Sequence, residues 1–96
     1  MHEYRVAQDI TNRAVREAMQ RNANGVAAIQ IALGTQALID PEALALGIKV
    51  ASLGTVAEDA DIRVHRVQGC GVALESLELL ADGPEALPSS APAWEE

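Results

Sequence analysis

The chain has 96 residues, 49% of them hydrophobic and almost none aromatic, so we expect one small domain with an aliphatic core. Seven basic residues against 14 acidic ones give a formal net charge of −7, which argues against nucleic acid as a partner because phosphates would be repelled. No apolar run approaches the roughly 18 residues of a transmembrane helix and no signal-peptide pattern is present, so we expect a cytoplasmic protein without membrane insertion.

The first third of the sequence predicts a helix followed by a strand. Residues 5–21 place apolar side chains on one arc of a helix and polar ones on the other, which is the pattern of an amphipathic helix. Residues 22–25, Asn-Ala-Asn-Gly, should end it because Asn and Gly accept left-handed conformations. Residues 26–33 alternate large aliphatic side chains with small or polar ones, which predicts a strand with one buried face. The residues before the helix leave room for a short edge strand.

The rest of the domain predicts a second helix and two further strands. Residues 40–53 begin with an Asp suited to capping and a Pro suited to the first helical position, so we expect a helix there. Residues 62–67 alternate like a half-exposed strand, and 68–71 form a tight Gly-rich turn. Residues 72–80 should return from that turn as the antiparallel partner of a hairpin.

This order, α-β-α-β-β, predicts an α+β fold in which two helices pack on one face of a small three-stranded mixed sheet. The predicted domain covers residues 1–82. Residues 83–96 are rich in Pro, Ala and Ser and are interpreted as a C-terminal tail, which carries the only tryptophan, Trp94.

The sequence begins Met1-His2-Glu3-Tyr4, and these residues form a candidate metal chelate. The α-amine of Met1, the deprotonated amide nitrogen of His2 and the His2 imidazole can close two fused chelate rings in one plane, and Glu3 can supply a fourth donor. Ni(II) favours this nitrogen-rich tetragonal geometry, but Cu(II) would bind the same donors at least as tightly. The alternative interpretation is an initiator methionine followed by an incidental surface histidine.

Other chemically active side chains are few. His65 lies in a predicted strand, either on a solvated face or as a distant fourth nickel donor. The acidic residues at 58, 59 and 61 lack the spacing of a calcium loop and are interpreted as a solvated loop. No catalytic Ser/His/Asp or Cys/His set and no phosphate-binding Gly loop is recognisable, so the sequence predicts a protein that is not an enzyme.

Five short stretches, in a shared order and spacing, resemble one known family. They are Met1-His2-Glu3-Tyr4, Ile31-Ala32-Leu33-Gly34, Asp40-Pro41-Glu42-Ala43-Leu44, Gly54-Thr55-Val56-Ala57-Glu58-Asp59-Ala60 and Ser76-Leu77-Glu78-Leu79-Leu80-Ala81. Over residues 1–82 the chain resembles the nickel-binding domain of the HypA/HybF hydrogenase maturation factors, metallochaperones that help deliver nickel to the nickel–iron active site.

The resemblance implies a function and a set of partners. In the family the amino-terminal residues bind nickel, which implies Met1, His2 and Glu3 as ligands of a transiently bound Ni(II) in this chain. It also implies a hydrogenase large subunit, a HypB-type GTPase maturation factor or both as partners, with GTP hydrolysis left to that GTPase. Self-association is a further expectation.

One departure from the family is large. Its members carry a zinc ribbon held by two Cys-x-x-Cys pairs between the last two strands, and residues 68–71 take that place here. A structural zinc site needs four ligands, so one cysteine, Cys70, cannot form it, and we expect no zinc. Cys70 is either the remnant of a lost ligand, a thiol offered to a partner's metal, or a small turn residue.

Two hypotheses follow from this departure. In the first, the chain is a nickel metallochaperone without the ribbon, and it uses the Met-His-Glu chelate. In the second, the chain has lost metal trafficking with the ribbon and persists as an interaction module of a hydrogenase complex.

Overall fold

A computed structural model describes residues 3–80 of the chain, and the five elements follow in the predicted order. They are α1 (Glu3–Gln20), β1 (Gly25–Gly34), α2 (Pro41–Ser52), β2 (Asp61–Val67) and β3 (Val72–Leu80). Two helices and a three-stranded mixed sheet confirm the predicted α+β class. Because α1 already begins at Glu3, the described residues contain no edge strand ahead of it.

The two helices pack closely because small residues line their contact. Ala7, Ala14 and Ala18 of α1 are fully buried at helical spacing. A Cβ added at Gly47 of α2 would lie 3.0 Å from the Cβ of Ala7, so the helices are in close contact at this point. At the start of α2 the Asp40 carboxylate accepts a hydrogen bond from the Ala43 amide at 3.0 Å, as the sequence predicts for a capping residue.

The sheet has the order β2-β1-β3, so the predicted hairpin of β2 and β3 is wrong. β1 pairs in parallel with β2, with Ile31 opposite Val64, and antiparallel with β3, with Ile31 opposite Leu74. The reason is that α2 connects β1 to β2 as a crossover, which yields parallel neighbours. β3 then pairs with the free side of β1, and β1 is the central strand.

The turn at residues 68–71 therefore crosses over the end of β1 instead of joining neighbouring strands. The Gly34 amide donates a hydrogen bond to the Gly71 carbonyl at 2.7 Å, and the Gln36 amide donates one to the Gly69 carbonyl at 2.9 Å. A Cβ at Gly34 would lie 2.5 Å from the Gly69 carbonyl oxygen. Only glycine permits this close approach of two backbones.

The core lies between the helices and one face of the sheet. Ile29, Ile31 and Leu33 of β1 have no exposed surface, and they belong to the same core cluster as Leu44 and Ile48 of α2, which are equally buried. This aliphatic layer holds α1 and α2 in fixed positions over the sheet.

Candidate functional site

The structure describes one of the three residues of the predicted chelate. Glu3 is the first residue of α1 and is partly buried. An acidic side chain in the first helical turn interacts favourably with the positive end of the helix dipole. Met1 and His2 lie outside the described residues, so the structure gives the position from which the chelate would extend.

The start of α1 lies toward the carboxyl end of β1. A groove of about 290 Å³ is lined by Val6 and Ile10 of α1 and by Val72 and Leu74 of β3. Val72 pairs with Leu33, next to the last residue of β1. Helix α1 therefore begins beside the first residues of β3 and runs in the same direction as that strand.

The turn at 68–71 is found at this same end of the sheet, because it crosses over Gly34 and leads directly into Val72. Its Cys70 thiol is exposed. The position that the family resemblance assigns to an inserted zinc ribbon thus lies at the same end of the molecule as Glu3, the first residue of α1. In this chain four residues, 68–71, link β2 to β3.

His65 lies on the face of the sheet that the helices do not cover. Its neighbour Val64 packs against the core, so the alternating strand directs His65 to the opposite face. There His65 Nε2 lies in hydrogen-bonding contact with Glu75 Oε1 of β3, reaching over the central strand. The sequence did not indicate this pair, since it depends on β2 and β3 both flanking β1. The start of α1 is on the other face of the sheet.

The acidic residues at 58 and 61 make local interactions; Glu58 lies in the loop before β2, whereas Asp61, which was predicted to lie in the same loop, is the first residue of β2. Glu58 accepts a hydrogen bond from the Gly54 amide, and Asp61 pairs with Arg63 at 2.8 Å. Asp61 raises the pKa of Arg63 through its hydrogen bond and its charge. Within residues 3–80, no three His, Cys, Asp or Glu side chains converge as a metal site would require. No helix in that range has the length and apolarity to cross a membrane.

Comparison with known sequences identifies relatives. A family model described as "Hydrogenase/urease nickel incorporation, metallochaperone, hypA" matches residues 1–75. The hydrogenase maturation factor HypA of Methanobrevibacter smithii is 37% identical over 67 residues, which are 70% of this chain and 54% of that protein. HypA of Archaeoglobus fulgidus is 33% identical over 88 residues, covering 85% of this chain and 80% of the relative. The chain thus spans about half the length of the Methanobrevibacter protein.

Solved structures share the fold. The solution structure of the Ni metallochaperone HypA from Helicobacter pylori has a TM-score of 0.75 at 17% identity, with 85% of this chain and 100% of that chain covered. A second solution structure, of a HypA protein, has a TM-score of 0.73, also at 17% identity, with 85% and 98% covered. The sequence match runs from residue 1 through most of the chain, and the architecture agrees with it. The protein therefore belongs to the HypA family of nickel metallochaperones for hydrogenase maturation, whose members are maturation factors and not enzymes.

Proposed function

We propose that this chain binds one Ni(II) ion as cargo through Met1, His2 and Glu3. The observation that carries the proposal is that the match to a nickel-incorporation family begins at residue 1 and so includes all three residues. The amine of Met1, the amide of His2 and its imidazole supply three nitrogen donors for the tetragonal geometry that Ni(II) favours. Glu3 follows immediately and supplies the fourth donor from the first turn of α1.

Nickel binding by this chelate depends on pH. The free α-amine titrates near pH 7.7–8.0 and an ordinary histidine near about 6.5, and both must lose a proton before they bind a metal. The apparent nickel affinity should therefore fall as the pH is lowered through this range. A site made of carboxylates alone would keep its affinity to lower pH.

The first experiment is a calorimetric Ni(II) titration of protein without an N-terminal tag, with His2→Ala and His65→Ala as a matched pair. The chain has only these two histidines. We expect one tight site that is lost in His2→Ala and retained in His65→Ala, with the visible absorption band of square-planar Ni(II) following the same pattern. Tight binding that survives His2→Ala contradicts the proposal.

A second experiment removes a different donor. Extending the chain before Met1 by a short peptide converts its α-amine into an amide, while every side chain is retained. The tight nickel site should be lost, because an amide nitrogen is a far weaker donor than a free amine until it is deprotonated. An extended protein with undiminished nickel affinity would place the site elsewhere.

The partners form a further part of the proposal. The chain would receive nickel from, or pass it to, a HypB-type GTPase or a hydrogenase large subunit in the cytoplasm. A loaded protein mixed with either apo-partner should transfer its nickel, which size-exclusion chromatography with metal analysis detects. Metal analysis of the purified protein should also find no stoichiometric zinc, because one cysteine cannot form a four-ligand zinc site.

The second candidate function is an interaction module without metal trafficking. It is favoured by one observation, the four-residue turn at 68–71 in the place of the family's zinc ribbon. Under this alternative the protein would bind a hydrogenase component equally well with and without nickel, and His2→Ala would leave the complex intact. A complex that forms only with wild-type protein and nickel supports the metallochaperone.

A further inference from the structure

Helix α2 carries a second apolar stripe on the side that faces away from the core. Leu44 and Ile48 belong to its buried side. Leu46, Val50 and Leu53 lie on the other side and are 64%, 51% and 63% exposed. Their spacing of four and then three residues keeps them on one face, because an α-helix has about 3.6 residues per turn. A helix that is apolar on two opposite sides is expected to pack against a second surface.

Two residues of opposite charge flank this stripe. Glu42 precedes Leu46 by four residues and Lys49 follows it by three, so both belong to the same face. Because they are almost two full turns apart, they lie along the same side of the stripe. Both side chains are exposed, and within residues 3–80 neither forms an ion pair. The exposed face of α2 thus carries a negative charge in its first turn and a positive charge in its last.

An antiparallel copy of α2 complements this face. A two-fold axis midway between positions 42 and 49 would bring Glu42 of each copy beside Lys49 of the other. Leu46 would then lie next to the axis and meet its own counterpart. Antiparallel packing also sets the start of one helix beside the end of the other, so Leu38, which is 91% exposed just before α2, would lie near Leu53 of the second copy. Parallel packing would instead place like charges side by side.

The charge balance of α2 favours a second copy of the chain as the occupant of this face. Within Pro41–Ser52 the only charged residues are Glu42 and Lys49, so the helix has no net charge, whereas the whole chain has a net charge of −7. Two copies can therefore approach through α2 without bringing their excess acidic residues together.

We propose that two copies of this chain associate through α2, with the two helices packed antiparallel about a two-fold axis. The interface buries Leu46, Val50 and Leu53 of both copies and forms two ion pairs between Glu42 of one copy and Lys49 of the other. A contact of one short helix per copy is small, so the dimer is reversible and depends on protein concentration. The inference does not depend on nickel binding.

The apolar contact is tested by sedimentation equilibrium of the full chain over a series of concentrations, which measures the dimer dissociation constant. Leu46→Gln should raise this constant by at least about tenfold, because it places a polar amide at the centre of the apolar contact. Leu80→Gln is the matched control, since Leu80 is 51% exposed at the end of β3, and it should leave the constant unchanged. Both substitutions replace exposed leucines, so circular dichroism should show that the helices are retained.

Charge reversal tests the two ion pairs. Glu42→Lys and Lys49→Glu each place like charges together twice across the axis, and each should raise the dissociation constant by about three- to tenfold. An equimolar mixture of the two variants restores both pairs of opposite charge in the mixed dimer, so its dissociation constant should return toward the wild-type value. A change in the stability of α2 itself would persist in the mixture, so this recovery reports the pairing between copies.

Three results would overturn the proposal. The first is wild-type protein that stays monomeric at every concentration, which would leave the stripe to a different partner. The second is a dimer that Leu46→Gln leaves intact, because the interface would then lie elsewhere. The third is a mixture of the two charge variants that associates no better than either variant alone.

Discussion

The two faces of the sheet are built by alternate residues of the same strands, yet different forces hold them. On the helix-covered face Ile29, Ile31 and Leu33 have no exposed surface and form a continuous aliphatic layer. On the open face Gln30 lies between Arg63 and Ser76, and Ala32 lies between His65 and Ala73. The helix-covered face therefore stabilises the fold, whereas the open face only shields the central strand from solvent.

The open face is bridged across the whole width of the sheet. Arg63 of β2 contacts Glu78 of β3 at 3.4 Å, passing over β1. Ala28 lies opposite both Asp61 and Glu78 in the strand register and is 1% exposed, although it does not belong to the core cluster. Small residues on a central strand thus allow long charged side chains to meet above it. Because these ion pairs are half exposed, they should contribute little stability.

The sharpest test of this comparison uses neighbouring residues of β1. Ile31→Ala should lower the free energy of unfolding by about 2–5 kcal/mol, because it leaves a cavity in the aliphatic layer. Gln30→Ala, on the open face, should change it by no more than about 0.5 kcal/mol. Urea denaturation followed by circular dichroism measures both. If Ile31→Ala does not fold, Ile31→Val can replace it, with an expected loss of about 0.5–1.5 kcal/mol in the free energy of unfolding. Equal losses at positions 30 and 31 would contradict the assignment of the two faces.

The next largest effect is expected where the turn crosses the central strand. Gly34→Ala should destabilise the protein by about 1–3 kcal/mol, because the new Cβ would lie 2.5 Å from the Gly69 carbonyl oxygen and backbone atoms must move. Gly71→Ala is the matched control, since a Cβ there meets nothing within 4 Å. In thermal melts, Gly34→Ala should have a clearly lower melting temperature than Gly71→Ala. If both variants have the same melting temperature, the turn shifts to accommodate the added methyl group and the close approach is unimportant for stability.

Sequence patterns predicted the helices and strands of this fold better than they predicted which strands are neighbours in the sheet. The capping Asp40 and the periodic alanines of α1 are local signals, and both helices were predicted from them. The pairing of β2 with β1 is not local, and the short turn at 68–71 favoured a hairpin that does not form. A usable signal was present in β1, whose near-continuous apolar run is typical of a central strand, whereas β2 and β3 alternate.

The candidate site, too, was predicted only where local chemistry or family resemblance was sufficient. The chelate at Met1, His2 and Glu3 was predicted from ligand chemistry and family resemblance, and neither depends on the sheet. The contact of His65 with Glu75 was missed, because the spacing of these residues in sequence does not reveal that one strand lies between them. That the turn at 68–71 and the start of α1 lie at the same end of the sheet was likewise visible only once the direction of α1 along β3 was known.

A smaller effect is expected from the charged bridges of the open face. Arg63→Gln removes a guanidinium that contacts both Asp61 and Glu78, and we expect a slight decrease in melting temperature at low salt that vanishes at high salt. Glu78→Gln should behave similarly. The melting temperature in dilute and concentrated sodium chloride measures this difference. A loss comparable to that of Ile31→Ala, or one that persists at high salt, would show that the open face carries a large share of the stability.

The smallest effect is expected at Cys70, in the turn that joins the two outer strands. Its side chain is exposed, so Cys70→Ser should change the free energy of unfolding by no more than about 0.5 kcal/mol. The more informative measurement is nickel affinity, because the turn lies at the same end of the sheet as the start of α1. If Cys70 is only a small turn residue, Ni(II) titrations of Cys70→Ser and wild type will coincide while His2→Ala loses the site. A loss in both variants would place the thiol among the nickel donors, and the turn at 68–71 would then have a role in holding the metal.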